Sequence, residues 1–331
     1  MKILITGYAG FIGSHFCELA LKNKHTVYGI DNLDDFYGKR FKEQNVQDLF
    51  KINGNFIVQF IDIRNKVDVN KIVKEFLPDI IVHIAAVAGV RYSFMHASKT
   101  ITSNVLGTTN VLEAAKDNNI KKLIFISSSS VYGDNKIIPF LESHKINKPI
   151  SLYAASKLSG EFLCKTYAHA YGLNIACLRL FSVYGPRQRP DLAIRKFISL
   201  AFRDLEIPMY GDGSTSRDYT HVNDIVNGIY SAMLWLNKKR IKKVNGLFEI
   251  FNLGNNKSIL LKELMQIIQD CIPEKQIRII KLPMQLGDVQ KTYANIDKAK
   301  KILNYRPKIE LRKGIEDLVK WFKNLNLIGS E

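Results

Sequence analysis

The chain has 331 residues, 46% of them hydrophobic and 24% charged, with 48 basic against 31 acidic side chains and a net charge of +17. That length allows one large or two medium domains around ample core, and the composition is ordinary for a globular protein. No apolar run approaches the ~20 residues of a membrane span; the longest, 80–90, reads as a buried strand, so no membrane partner is expected.

No leader is visible ahead of the first strand, and the four cysteines, Cys17, Cys164, Cys177 and Cys271, lack C-x-x-C spacing. Free thiols in a reducing cytoplasm are expected, and no metal site. The lysines are spread along the chain, as in Lys22/Lys24, Lys121/Lys122, Lys238–Lys243 and Lys298–Lys301, without a zinc-finger, RRM or KH pattern. They read as a solvated surface with no nucleic-acid partner, whose field favours an anionic substrate.

In chain order, residues 2–6 (KILIT) suit a buried parallel strand. Gly7, Gly10 and Gly13 follow, then an amphipathic helix to about Lys22, a strand over Thr26–Ile30, and Asp31. This is the context of a dinucleotide site. Gly7 permits a sharp turn, Gly10 lets backbone approach a pyrophosphate, and Gly13 lets helix pack on strand. The helix N-terminus offers N–H groups and partial positive charge to phosphates. Asp31 suits both adenosine ribose hydroxyls and repels a 2′-phosphate, which favours NAD over NADP. The spacing is G-x-x-G-x-x-G.

A loop from Asn32 and a polar helix to about Phe50 lead to a strand over Phe56–Phe60. Asp62 after it reads equally as a partner for adenine or as a helix cap. A helix over 66–77 and a strand over 79–84 precede Ala85 and Ala86, small residues that let a cofactor lie against backbone. Arg91 comes within reach of an anionic substrate. A long helix over 97–117 carries Asn104, and the fifth strand, 122–127, ends in Ser127, Ser128, Ser129 and Ser130. Five successive βα units predict a doubly wound parallel sheet, an α/β Rossmann fold.

Tyr-x-x-x-Lys occurs twice, at Tyr132/Lys136 and Tyr153/Lys157. The first runs into Gly-Asp-Asn, a turn signal; the second lies on a predicted helix, where i and i+4 project together. A phenol with a reference pKa near 10 is a poor base at neutral pH. The expectation is that the Lys157 ammonium favours the phenolate, so that Tyr153 takes a proton from a substrate hydroxyl while Ser128 hydrogen-bonds the same oxygen.

Thr6-Gly-x-x-Gly-Phe-Ile-Gly13, the Ser128/Tyr153/Lys157 set and the downstream motifs resemble the extended short-chain dehydrogenase/reductase family of nucleotide-sugar epimerases and dehydratases, over nearly the whole chain. Within it, the resemblance points toward 4-epimerases of UDP-glucuronate. It implies a Rossmann domain over 1–180, with a strand near 248–253 returning to it, and a smaller mixed α/β substrate domain over 181–331. NAD would be held by Gly7, Gly10, Phe11, Ile12, Gly13, Asp31, Asn32, Asp62, Ile63, Ala85, Ala86, Asn104, Ser127, Tyr153, Lys157 and Phe181. Carbon 4 would pass through a ketone while bound NAD is transiently reduced. Family dehydratases carry acids where this chain has Ser129 and Ser130, so dehydration is disfavoured.

Further on, Ser182 stands where Thr is common. Arg189 offers a fork to a sugar carboxylate, Tyr210 a face to uracil, Arg217 a charge to the diphosphate and Asp288 a carboxylate to the ribose. His221 and Asp224 read as structural. Helices 97–117 and 153–171 are expected to pair in a homodimer. The open alternatives are a 4-epimerase of a neutral or N-acetylated UDP-hexose and a non-catalytic NAD-binding or nucleic-acid-binding protein.

Overall fold

A computed structural model describes residues 1–238, 245–284 and 287–325. Most of the lysine cluster at 238–243 and the middle of the motif at 282–289 lie outside these residues.

The core of the molecule is a seven-stranded sheet. Six strands are β1 (Lys2–Thr6), β2 (Thr26–Asp31), β3 (Phe56–Phe60), β4 (Ile80–His83), β5 (Lys122–Ser128) and β6 (Asn174–Leu180), joined by the edge strand Phe248–Leu253. The spatial order is Phe248–Leu253, β6, β5, β4, β1, β2, β3. Every neighbouring pair is parallel. The order reverses beside β1, between β2 and β4, the place where doubly wound sheets open a ligand crevice.

The two-residue period of a strand builds a core on each face. Ile3 and Ile5 of β1 pack with Phe16 and Cys17 of α1 (Phe11–Lys22) and with Ile225 and Ile229 of helix Val222–Lys238. Leu4 turns to the other face, with Val73, Val111 and Cys164 from helices Lys66–Phe76, Gly107–Asp117 and Leu152–Tyr171. A third core, holding Phe197, Leu264, Leu318 and Phe322, joins helices Ala193–Phe202, Leu261–Cys271 and Leu311–Asn324 into a smaller lobe. Cys17, Cys164 and Cys177 are buried free thiols. Among the described residues no helix is long and apolar enough to cross a membrane.

The expected single helix over 97–117 is interrupted. Ala97–Ile101 is α-helical, Thr102–Leu106 widens into a π-helical turn, and Gly107–Asp117 resumes the α-helix. The turn presents Asn104 inward, where its amide is fully engaged.

Under the sheet's C-terminal edge lies a buried ion pair. Arg179 of β6 donates to both carboxylate oxygens of Glu161, at 2.9 and 2.7 Å, and to the Tyr132 hydroxyl at 3.0 Å. Ser127 donates to the same carboxylate at 2.6 Å. Removing one partner strands the other charge, which costs about 3–5 kcal/mol. Arg179→Leu is therefore expected to lower the unfolding free energy by about that amount, read as a reduced urea midpoint.

Candidate active site

The C-terminal ends of β1, β2, β4, β5 and β6 open onto one cleft of about 430 Å³. Its first wall is the glycine turn. Gly7 adopts φ +74°, and a Cβ there would lie 2.7 Å from the Ala85 nitrogen; a Cβ on Gly13 would lie 2.0 Å from the Gly7 carbonyl oxygen. Only bare backbone fits. Helix α1 has no side-chain cap and no acidic residue in its first turn, so its positive end is not neutralised by its own residues. Gly10, Phe11, Ile12 and Gly13 line the cleft there. These features fit a dinucleotide pyrophosphate.

Asp31 is buried at the end of β2, where its Oδ1 accepts from the Leu33 N–H at 2.8 Å and the Lys42 ammonium at 3.1 Å. Lys42 carries no local sequence signal, since its partner is eleven residues away on another element. Asn32 donates to Asp62 at 2.9 Å. Asp62 does not cap the next helix; Asn65 does. Burial alone would raise the Asp62 carboxyl, but hydrogen bonds from Arg64 and Asn32 hold it at about 2.

All of the expected dinucleotide residues line the cleft except Asn104. Asn104 stands behind the wall: Val87 N–H donates to its Oδ1 at 2.7 Å, while its Nδ2 donates to Val87 O and to Ser156 Oγ, both at 2.9 Å. It braces the loop after β4, and its neighbour Ser103 faces the cleft instead. Ser127 lines the cleft but turns its hydroxyl to Glu161.

Ser128 ends β5 and caps a short 3-10 turn, its Oγ accepting from Ser130 N–H at 3.1 Å. Helix Leu152–Tyr171 starts beneath it, capped by Ser151. One turn apart on that helix are Tyr153, which lines the cleft together with Ser128, and Lys157, whose ammonium donates to the Ile126 carbonyl at 2.8 Å. The other Tyr-x-x-x-Lys pair is split: Tyr132 is buried against Asn252, and Lys136 pairs with Asp134 outside.

One electrostatic expectation is corrected. Burial raises the Tyr153 phenol above its ordinary value, and what pulls it back is the Ser128 hydrogen bond and the charge of Arg189. The Lys157 ammonium is aimed at the Ile126 carbonyl instead. Burial also holds Lys157 down, to about 8.

Ser182 and Arg189 line the same cleft. Arg91, Tyr210, Arg217 and Asp288 gather beside it. Arg91 donates to Asp288 at 2.9 Å and lies 4.8 Å over the Tyr210 ring. Arg217, lowered by burial, feels the charges of both Asp288 and Arg91. A Cβ on Gly287 would lie 2.9 Å from Val90, which lines the cleft. His221 is buried edge-on to Tyr184, and Asp224 accepts from Ile309 N–H at 2.9 Å.

The chain matches the family model of GDP-mannose 4,6 dehydratase over residues 4–318. It belongs to that family. Protein CapI of Staphylococcus aureus is 38% identical over 97% of this chain and 98% of the relative. The UDP-glucuronate 4-epimerase of Thermodesulfobacterium geofontis is 39% identical over 99% and 98%. Among solved structures, the UDP-glucuronic acid 4-epimerase of Bacillus cereus, in complex with UDP-glucuronic acid and NAD, superposes with a TM-score of 0.89 at 34% identity. It covers 98% of this chain and 100% of that one. A UDP-glucose 4-epimerase from Thermotoga maritima, with UDP-glucose, gives 0.87 at 31% identity over 98% and 99%.

The Lys157 ammonium leads to a pH-dependent expectation. Its folded pKa lies below the unfolded value, so the unfolded chain binds the extra proton between about 8 and 10.5. The burial cost, on the order of 3 kcal/mol, is fully present below about 8 and is relieved as pH rises through that window. Lys157→Met is expected to be more stable than the parent chain at pH 7, with the gap narrowing by pH 9.5 in urea unfolding.

Proposed function

We propose that the protein is an NAD-dependent UDP-sugar 4-epimerase that interconverts UDP-glucuronate and UDP-galacturonate. The observation that carries this is the placement of Tyr153 and Ser128 together in a dinucleotide-fitted cleft, with the Arg189 charge felt at the phenol. Relatives named UDP-glucuronate 4-epimerase, among them the one from Thermodesulfobacterium geofontis matched over 98% of its length, support it. So does the lack of a carboxyl group at Ser129 and Ser130, where elimination of a hydroxyl would need an acid.

Tyr153 takes the proton of the carbon 4 hydroxyl and returns it after the sugar has turned over. Ser128 holds the same oxygen, and Lys157 braces the helix turn between Tyr153 and the end of β5. Bound NAD supplies the hydride acceptor and donor for carbon 4. Residues 1–180 with strand 248–253 hold it: the glycine turn with Phe11 and Ile12 at the pyrophosphate, Asp31 at the adenosine ribose, Asn32, Asp62 and Ile63 at the adenine. Ala85, Ala86, Ser127 and Phe181 flank the nicotinamide half, and Asn104 acts through the loop it braces. Residues 181–331 carry most of the UDP-sugar site. Ser182 and Arg189 meet the sugar; Tyr210, Arg217 and Asp288, with Arg91 from the first domain, meet uridine and diphosphate. The reaction is placed in the cytoplasm.

The partner expected is a second copy. Ile101, Leu106 and Phe162, on helices 97–117 and 152–171, are exposed apolar side chains, which a symmetric helix pairing would cover. Phe162→Glu is expected to convert a dimer to a monomer in light scattering.

The direct test is purified protein with UDP-glucuronate, scored for inversion at carbon 4. Tyr153→Phe is expected to lower kcat by about 10²–10⁴. Arg189→Ala is expected to raise KM for UDP-glucuronate about tenfold, as loss of a fork to a carboxylate would, and KM for UDP-glucose much less. Turnover of UDP-glucose alone would favour the neutral-sugar reading, for which the fold of the Thermotoga maritima epimerase is a precedent.

A further inference from the structure

Arg189 does not wait in the cleft with an open fork. Its Nε donates to Asp191 Oδ1 at 2.9 Å and its NH2 to Asp191 Oδ2 at 2.6 Å. This is the two-point geometry by which a guanidinium takes a carboxylate. The same guanidinium lies 4.8 Å over the Phe36 ring and reaches the Ala88 carbonyl at 3.4 Å. Arg189 is thus fixed from two sides by Phe36 and Ala88, and its fork carries a carboxylate from its own chain.

Among the described residues, Arg189 is the partner of the Asp191 carboxylate. Asp191 precedes helix Ala193–Phe202, whose N-terminus has no side-chain cap and no acidic residue in its first turn. An Asp at such a place commonly turns to the first N–H groups; this one turns back two residues to Arg189. Its side chain is 43% exposed against 12% for Arg189, so it can swing to water while Arg189 stays packed. The aspartate is the movable half of the pair.

We infer that Asp191 is a specificity-determining residue: its carboxylate occupies the fork that an anionic sugar needs, so a uronate must displace it and a neutral sugar need not. This rests on the reading of Arg189 as the group that meets the sugar. Asp191 sets the anion's net advantage by difference, since the new ion pair replaces one already made. It also bears on release, because the returning aspartate competes with the carboxylate of the product.

Asp191→Asn keeps shape and removes the competing charge; Asp191→Glu keeps the charge. The experiment measures, by calorimetry on the full chain loaded with NAD, the affinities of UDP-glucuronate and UDP-glucose for the parent protein and both variants, with turnover of each sugar alongside. Asp191→Asn is expected to raise the ratio of affinities, glucuronate over glucose, by at least fivefold, with kcat for the uronate falling as release slows. Asp191→Glu is expected to bring the ratio back toward that of the parent. If Asp191→Asn weakens both sugars together, or leaves the ratio as it was, Asp191 only braces its loop and the inference is overturned. A parent protein that epimerises UDP-glucose but not UDP-glucuronate would instead sink the proposed substrate, while the affinity ratio would still decide the role of Asp191.

Discussion

The site depends on one constraint: an ammonium and a phenol, a single helical turn apart, must be held under the end of a parallel strand. Lys157 is buried and spends a hydrogen bond on the Ile126 carbonyl, which ties helix Leu152–Tyr171 to β5. Tyr153 is thereby set against Ser128. The next residue at the same spacing, Glu161, closes the buried pair with Arg179 and takes the Ser127 hydroxyl. Tyr153, Lys157 and Glu161 thus form one ridge, i, i+4 and i+8, that holds β5 and β6 in place beneath the cleft. The ridge is buried at Lys157 and Glu161, while Tyr153 at its end faces the cleft.

Charge at the phenol comes from Arg189 and not from Lys157. Arg189, stacked on Phe36, pulls against the burial of Tyr153. On the proposed reading, the group that meets the sugar therefore also bears on the Tyr153 proton.

Much of this was legible in the sequence, and the physics says which part. The strands of the sheet are short apolar runs bounded by turn residues, so their positions follow from local pattern; the run at 56–60 is the strand Phe56–Phe60. The glycine turn was legible because only backbone fits between Gly7, Gly13 and Ala85. What local pattern does not carry is the partner of a charge. Lys42 under Asp31, Asp191 in the fork of Arg189 and Asp288 beside Arg91 are set by tertiary placement. The π-helical turn at 102–106 has the same origin, since it places the Asn104 amide against Val87 and Ser156. The Lys157 ammonium was expected to act on Tyr153; its burial and its bond to Ile126 redirect it, and no spacing rule reveals that.

The hydrogen on carbon 4 gives the most direct measurement. In the proposed reaction Tyr153 moves only the hydroxyl proton, while the carbon-bound hydrogen would leave and return as a hydride, a form that does not exchange with water. UDP-glucuronate deuterated at carbon 4, converted in ordinary water and examined by mass spectrometry and NMR, should give UDP-galacturonate with the deuterium still on carbon 4. Replacement of that deuterium by solvent hydrogen during turnover would contradict the account.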